Sequence, residues 1–356
     1  TLKSLGNKAS YAPKRVHVIG AGTMGGDIAA WCALRGFAVT VEDSNPKALG
    51  STMARANKLY QRRFRGYATL ATDALDRLVP DPHGDGRAQA DVIIEAIFED
   101  EKVKQDLFTA LESQAKPDAI LATNTSSIPL EAIASVLKAP ERLVGLHFFN
   151  PVAKMPLVEV IYAENTDAKV RVDAQAFCRH IDKLPLPVKS SPGFLVNRIL
   201  MPYLLEAANM VDEGIQKEAV DKAATDFGMP MGPLELADTV GLDICQHVAE
   251  VLSEPMGLSI PASIRDLVEA GNKGKKTGQG YYHYKKGKAE KEKLEKTLDP
   301  ELQNRLISRL TDEAQRCLAD GIVATEDQLD AGVIFGTGFA PFRGGPMNYL
   351  KIVPDN

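Results

Sequence analysis

The 356-residue chain has little cysteine and none of the cysteine pairs that bind metals or form a disulfide framework. Its four cysteines, Cys32, Cys178, Cys245 and Cys317, are widely scattered, without a C-x-x-C pair or a metal-ligand spacing. We therefore predict buried free thiols in a reducing compartment, and no metal site.

A basic excess, a long apolar run and a leader segment are also missing. The net charge of −5 gives no positive surface for nucleic acid. The apolar runs are too short to span a bilayer, and no charged segment followed by an apolar one opens the chain. We expect no nucleic-acid binding and no membrane insertion. The first residue is Thr, which indicates a processed chain or a fragment of a longer protein.

The first half of the chain alternates strand-like and helix-like segments, which predicts an α/β domain with a parallel, doubly wound Rossmann-type sheet over residues 1–190. A loop rich in Gly, Pro and Asp is expected over residues 80–87. The predicted strands cover 15–20, 37–43, 91–97, 119–124, 142–149 and 157–162, and helices are predicted over 24–35 and 102–115.

The second half is predicted to be helical and to contain an internal repeat. Helices are expected over 194–213, 217–227, 232–252 and 260–270, followed by a solvated loop over 275–293 and further helices from Pro300. Three dipeptides recur at equal offsets: Asn197-Arg198 with Asn304-Arg305, Glu206-Ala207 with Glu313-Ala314, and Gly214-Ile215 with Gly321-Ile322. We therefore predict two similar helical domains, 191–296 and 297–356, of which the second is degenerate.

A glycine-rich turn, GAGTMG, follows the first predicted strand and precedes a helix, as a dinucleotide-binding motif requires. Gly20 permits the tight turn, Gly22 lets the backbone approach a pyrophosphate, and Gly25 allows the helix to pack closely on the strand. Asp43 ends the second predicted strand, where an acid would bind a ribose hydroxyl. No arginine follows to hold a 2′-phosphate, so the pattern favours NAD over NADP.

The segment GLHFFNPVAKMPLVEVI, residues 145–161, places His147 and Glu159 in neighbouring apolar runs. A histidine suits a dehydrogenase as the base for a hydroxyl proton, because its pKa lies near neutrality. A carboxylate on the other ring nitrogen would fix the tautomer and stabilise the imidazolium. The same spacing also fits a core histidine paired with a core glutamate for packing.

Five blocks of sequence, taken together, closely resemble the L-3-hydroxyacyl-CoA dehydrogenase family over nearly all of residues 14–284. Helical residues 297–350 resemble the dehydrogenase part of multifunctional fatty-acid-oxidation α subunits, which carry an enoyl-CoA hydratase upstream. The blocks are NTSS (124–127), GLHFFNPVAKMPLVEVI (145–161), SPGFLVNR (191–198), GMPMGPLELADTVGLD (228–243) and GKKTGQGYY (274–282).

This resemblance implies a role for individual residues. His147 would be the catalytic base with Glu159 as its partner, Ser126 would bond the substrate oxygen, and Asn197 would hold the acyl substrate. The implied cofactor site comprises Gly20, Gly22, Thr23, Met24, Gly25, Asp43, Ala96, Glu99, Lys104, Asn124, Ser126, Asn150 and Lys276. The chain departs from the family's short forms after the second strand, where Lys58, Arg62, Arg63 and Arg65 either bind CoA phosphates or form a solvated helix face.

The expected reaction is the reversible oxidation of an L-3-hydroxyacyl-CoA to the 3-oxoacyl-CoA with NAD. The expected partners are a fused or associated enoyl-CoA hydratase and a thiolase. The second helical copy has no His–Glu pair and could replace a dimer partner, so monomer and homodimer both remain open. The expected compartment is the bacterial cytoplasm, and the mitochondrial matrix and the peroxisome also fit the cysteine pattern. The alternatives are a β-hydroxyacid dehydrogenase and an inactive NAD-binding structural protein of dehydrogenase descent.

Overall fold

The computed structural model describes residues 1–6, 10–294 and 299–352. It divides into two compact units, Thr1–Ser190 and Ser191–Asn356. The domain boundary predicted after residue 296 lies outside the described residues. Within the described ranges, no helix combines the length and the apolar composition that crossing a bilayer requires.

The first unit is an α/β structure, as the sequence predicts. Its strands are β1 (Arg15–Ile19), β2 (Ala38–Glu42), β3 (Leu78–Asp81), β4 (Val92–Glu95), β5 (Ile120–Thr123), β6 (Leu143–Phe148), β7 (Leu157–Tyr162) and β8 (Leu184–Lys189). Its helices are α1 (Thr23–Leu34), α2 (Pro46–Arg63), α3 (Ala68–Asp76), α4 (Glu101–Gln114), α5 (Leu130–Ala134) and α6 (Ala168–His180).

The strands form one mixed sheet in the order β3-β2-β1-β4-β5-β6-β7-β8. Neighbouring strands run parallel except β6 and β7, which are antiparallel. This departs from the all-parallel prediction, because the connection between β6 and β7 is too short for the crossover that parallel strands need. The reversal sets His147 directly opposite Glu159 in the register.

Apolar side chains of the sheet pack on both faces. On β4, Val92 and Ile94 belong to one core cluster, whereas Ile93, which points to the other face, belongs to a second. The first cluster includes α1 and α6 residues such as Ile28 and Phe177, and the second includes Phe108 of α4. Burial on two faces explains why the central strands read as continuous apolar runs.

The second unit is largely helical. Its helices are α7 (Val196–Asp212), α8 (Lys217–Phe227), α9 (Pro233–Val240), α10 (Leu242–Met256), α11 (Ala262–Glu269), α12 (Pro300–Ala319), α13 (Glu326–Thr337) and α14 (Pro346–Ile352). The predicted helix over 232–252 is wrong in one respect, because Gly241, with φ +111°, separates α9 from α10. The solvated loop expected over 275–293 contains an antiparallel hairpin of β9 (His283–Lys285) and β10 (Lys288–Glu290).

Candidate active site

His147 and Glu159 form a buried pair on neighbouring strands. His147 Nδ1 lies 2.6 Å from Glu159 Oε2, the separation of a charge-assisted hydrogen bond. The histidine is 6% exposed and the glutamate is fully buried. The Phe149 ring lies 4.6 Å from the imidazole, between ring centroids. The carboxylate therefore fixes the orientation of the imidazole, which is the geometry that the sequence predicted if the two strands were neighbours.

The glycine turn is shaped for a phosphate group. Gly20 has φ +101°, and a Cβ there would lie 2.5 Å from the Ala96 carbonyl oxygen. A Cβ on Gly25 would meet the Gly20 carbonyl oxygen at 1.9 Å, so both positions require glycine. A Cβ on Gly22 would meet nothing within 4 Å, which leaves open space beside the turn.

The start of α1 adds hydrogen-bond donors to this turn. The helix begins at Thr23, followed by Met24, and its N-cap residue Gly22 supplies no side-chain cap. The first N–H groups of a helix lack partners within the helix and carry its positive dipole end. The turn and the open space beside Gly22 thus fit a pyrophosphate.

Asp43 is fixed against the glycine turn from the end of β2. Its Oδ2 accepts a hydrogen bond from the Ala21 N–H and its Oδ1 accepts one from the Asn45 N–H, both at 2.8 Å. This is the place at which an acidic residue of the Rossmann fold binds the ribose hydroxyls.

Arg55, which is not among the predicted site residues, also reaches the turn. Its Nη2 donates to the Gly22 carbonyl oxygen at 2.9 Å and its Nε to Asp27 at 3.1 Å. It comes from α2, more than thirty residues after Gly22, and no motif or spacing in the sequence indicates the contact.

Glu99 organises the segment NTSS after β5. Its Oε1 accepts hydrogen bonds from the Thr125 hydroxyl at 2.5 Å, the Ser126 N–H at 2.8 Å, and the Ser127 N–H and hydroxyl at 3.1 Å each. Burial alone would raise the pKa of Glu99, but the Lys104 charge and these hydrogen bonds hold it below its usual range. Glu99 therefore presents a fixed negative charge and sets the position of Ser126.

Lys104 is buried rather than presented at the surface of the site. Its ammonium lies 2.6 Å from Glu95 Oε1 and 3.4 Å from Glu99 Oε2. Glu95 also accepts hydrogen bonds from the Thr123 hydroxyl at 2.6 Å and the Ile97 N–H at 2.8 Å. Glu95 was not among the predicted site residues, although it is the lone charge in the apolar run VIIEAI, the same signal that identified Glu159.

The edge of the sheet brings most of the predicted residues together. The glycine turn, Ala96, Asn124 and His147 lie at the carboxyl ends of β1, β4, β5 and β6, which share one edge in a parallel sheet. Asn124 Oδ1 accepts a hydrogen bond from the Phe148 N–H at 2.9 Å, which ties β5 to β6. Asn150 is exposed in the connection after β6.

The remaining predicted residues belong to other elements of the chain. Asn197 is the second residue of α7, and the Lys276 ammonium lies 2.5 Å from Asp243 Oδ1; both belong to the second unit, so their part in the site stays a prediction. The basic set after β2 is exposed, as a solvated helix face requires, and its contact with CoA stays a prediction; the set comprises Lys58, Arg62, Arg63 and Arg65.

Comparison with known proteins identifies the same family in both units. The family described as "3-hydroxyacyl-CoA dehydrogenase, NAD binding domain" matches residues 15–191, and "3-hydroxyacyl-CoA dehydrogenase, C-terminal domain" matches residues 193–284. Among solved structures, 3-hydroxybutyryl-CoA dehydrogenase from Escherichia coli K12 has a TM-score of 0.85 at 28% identity, covering 95% of this chain and 91% of that chain. Mycobacterium tuberculosis FadB2 has a TM-score of 0.74 at 38% identity, covering 77% of this chain and 100% of that chain.

A curated relative is the fatty acid oxidation complex subunit alpha of Ectopseudomonas oleovorans, 38% identical over 98% of this chain. The chain covers 52% of that relative, so it spans about half the length of the subunit. The matched domain confirms the predicted cofactor, NAD. Both family matches and the full coverage of FadB2 at 38% identity agree with the fold, and the chain belongs to the 3-hydroxyacyl-CoA dehydrogenase family.

Proposed function

We propose that this chain catalyses the reversible oxidation of an L-3-hydroxyacyl-CoA to the 3-oxoacyl-CoA with NAD. The observation that carries the proposal is the buried His147–Glu159 pair at the end of β6, on the sheet edge that also carries the glycine turn. The family membership and the 3-hydroxybutyryl-CoA dehydrogenases among the similar structures support it.

In this proposal, His147 removes the proton of the substrate's 3-hydroxyl group. Glu159 holds Nδ1, so Nε2 is the nitrogen that exchanges the proton, and the carboxylate stabilises the imidazolium that forms. NAD⁺, when bound, supplies the acceptor for the hydride that leaves C3. Such a base typically contributes about 10²–10⁴-fold to the rate.

Other side chains would hold the substrate in place. Ser126, positioned by Glu99, would donate a hydrogen bond to the substrate oxygen. Asn197 would hold the acyl group, and Asn150, Asn124 and Lys276 would line the cofactor site. Fixed positioning of this kind lowers a barrier by several kcal/mol in intramolecular reactions, about 7–11 kcal/mol at best.

We also propose the domain division 1–190, 191–296 and 297–356, with the last as a degenerate copy of the helical domain. Its support is the correspondence of α7 and α8 with α12 and α13 around equivalent ion pairs. By analogy with the α subunit, the chain would act beside an enoyl-CoA hydratase and a thiolase. Bacterial relatives and four buried free cysteines support a reducing compartment such as the cytoplasm.

Replacing His147 tests the proposed reaction. The wild-type chain should oxidise NADH when acetoacetyl-CoA is added, measured by absorbance. His147→Gln should lower kcat by at least about a hundredfold, because the base is lost. NADH affinity, followed by nucleotide fluorescence, should be unchanged, because the glycine turn is intact.

His283→Gln is the matched control, since His283 is exposed on β9 and pairs with Glu290. Its turnover should equal that of the wild type. Near-normal turnover in His147→Gln would remove this histidine from the mechanism. A wild-type chain that binds NADH but reduces no 3-oxoacyl-CoA would favour the structural alternative.

A further inference from the structure

Lys183 is a buried lysine that the mechanism above does not use. It precedes β8, is 2% exposed, and lies among the apolar side chains of α1 and α6. Burial lowers the pKa of Lys183 to about 8. An ammonium group in such a place is costly unless its hydrogen bonds are satisfied. The contacts of the Lys183 ammonium therefore indicate how its burial is compensated.

Three contacts of the Lys183 ammonium join two functional parts of the first unit. The ammonium donates hydrogen bonds to the carbonyl oxygens of Val152 and of Met155, the latter at 2.7 Å. It also lies 4.3 Å from the centroid of the Trp31 ring, a cation–π distance. Trp31 belongs to α1, the helix that begins at the glycine turn. Lys183 thus connects that helix to the β6–β7 connection, residues 149–156.

This β6–β7 connection carries groups of the proposed site. It follows the strand of His147, includes Asn150, and leads into the strand of Glu159. Its own turn is held by the Pro151 carbonyl oxygen, which accepts hydrogen bonds from the N–H groups of the residues at 154 and 155. Lys183 binds two further carbonyl oxygens of this connection, those of Val152 and Met155, and the Val152 side chain is buried.

We propose that Lys183 is a positioning residue for the dehydrogenase reaction, holding the β6–β7 connection so that Asn150 and the His147–Glu159 pair keep a fixed place relative to the glycine turn. The inference rests on the proposed function. An apolar side chain at this position would leave two carbonyls without their donor, and the connection could then shift.

Within the described part of the chain, no carboxylate pairs with the Lys183 ammonium. Asp182 is exposed and pairs with Arg35 at 3.2 Å, and Arg179 donates to the Lys183 carbonyl oxygen at 3.2 Å. Cys32 and Cys178 face the lysine, and burial raises the pKa of both thiols, that of Cys32 to about 12, so they stay neutral. Of the lysine and the two thiols, Lys183 is the one with a pKa near 8.

Trp31 offers a direct reading of that titration, because it is the single tryptophan of the chain. The emission of Trp31 should change with pH around a midpoint near 8 in the wild type. The same scan should be flat in Lys183→Met. An unchanged midpoint in Lys183→Met would show that another group is responsible and that Lys183 is not charged against the ring.

Kinetics of the same variant test the positioning role. In Lys183→Met, kcat for acetoacetyl-CoA reduction should fall about 10- to 100-fold, as displaced catalytic groups produce. NADH affinity should change much less than kcat, because the glycine turn and Asp43 are intact, and circular dichroism should show a folded chain at the assay temperature. Lys189→Met, an exposed lysine at the end of β8, is the matched control and should behave as the wild type.

Lys183→Gln keeps an N–H donor without the charge, and it should give an intermediate kcat. If Lys183→Met fails to fold, Lys183→Gln and the wild-type Trp31 titration carry the test. A kcat loss that only follows the unfolded fraction would overturn the positioning role. An inactive wild type would instead reject the proposed function, and an active wild type with a fully active Lys183→Met would reject this inference alone.

Discussion

At the scale of residues, two carboxylates stand alone in apolar strands, and each one holds a nitrogen-bearing side chain of the candidate site. Glu159 and Glu95 are both fully buried, and each has a close cationic or potentially cationic partner, His147 or Lys104. A buried carboxylate without such a partner would be costly, so each one predicts a partner nearby. The first pair was predicted from two lone polar residues in neighbouring apolar runs, and the resemblance favoured its catalytic role over a packing role. The second pair was not predicted, because the spacing of Glu95 and Lys104 spans a strand, a loop and a helix.

Glu159→Gln should separate the orienting role of the carboxylate from a packing role. The amide keeps the shape but loses the charge, and its N–H₂ would favour the wrong imidazole tautomer. We expect kcat to fall by roughly 10⁴-fold if the pair behaves like the aspartate–histidine pair of serine proteases. Acetoacetyl-CoA reduction at saturating NADH measures this, with exposed Glu164→Gln as the control. Full activity in Glu159→Gln would support the packing interpretation of the pair.

At the scale of elements, the structure shows why some segments were predicted and others were not. The sequence predicted β7 with its bounds because it is an apolar run between turns. It missed β8, LPLPVK, because two prolines argue against a strand. The structure resolves this, since β8 is the last strand in the sheet order, and an edge strand tolerates residues that lack an N–H.

The buried pair of Lys104 and Glu95 joins three elements, and its loss should lower the stability of the fold. Lys104 lies on α4, while Glu95 ends β4 and Thr123 ends β5. Lys104→Met would leave Glu95 buried without its cation, and breaking a buried pair in this way costs about 3–5 kcal/mol of unfolding free energy. Urea unfolding followed by Trp31 fluorescence measures the loss. Lys102→Met, which removes an exposed pair with Asp106, should change stability by less than about 0.5 kcal/mol; equal effects would contradict the buried role of Lys104.

At the scale of the whole molecule, the sequence predicted the order of architectures and the repeat, but not how the repeated segments meet. Arg198 of α7 pairs with Glu313 of α12 at 2.7 Å, and Arg305 of α12 pairs with Glu206 of α7 at 2.5 Å. The offsets within the sequence relate Arg198 to Arg305 and Glu206 to Glu313. They carry no sign of reciprocal pairing, because partners about a hundred residues apart leave no local pattern. The candidate site, by contrast, was predictable, because its motifs at the strand ends are short and contiguous in the sequence.

These reciprocal pairs predict that the two carboxylates contribute about equally to the stability of the second unit. Glu206 and Glu313 are both nearly buried, so Glu206→Gln and Glu313→Gln should each lower the unfolding free energy by about 1.5–3 kcal/mol, the contribution of a hydrogen bond to a charged group. A double-mutant cycle of Glu206→Gln with Arg305→Met should give a coupling energy of about 0.5–3 kcal/mol. Chemical unfolding followed by circular dichroism measures both. Glu213→Gln is the control with little expected effect, because this carboxylate binds Arg305 at the exposed end of the pair. A large loss in Glu206→Gln with none in Glu313→Gln would show that the two ion pairs are not energetically equivalent.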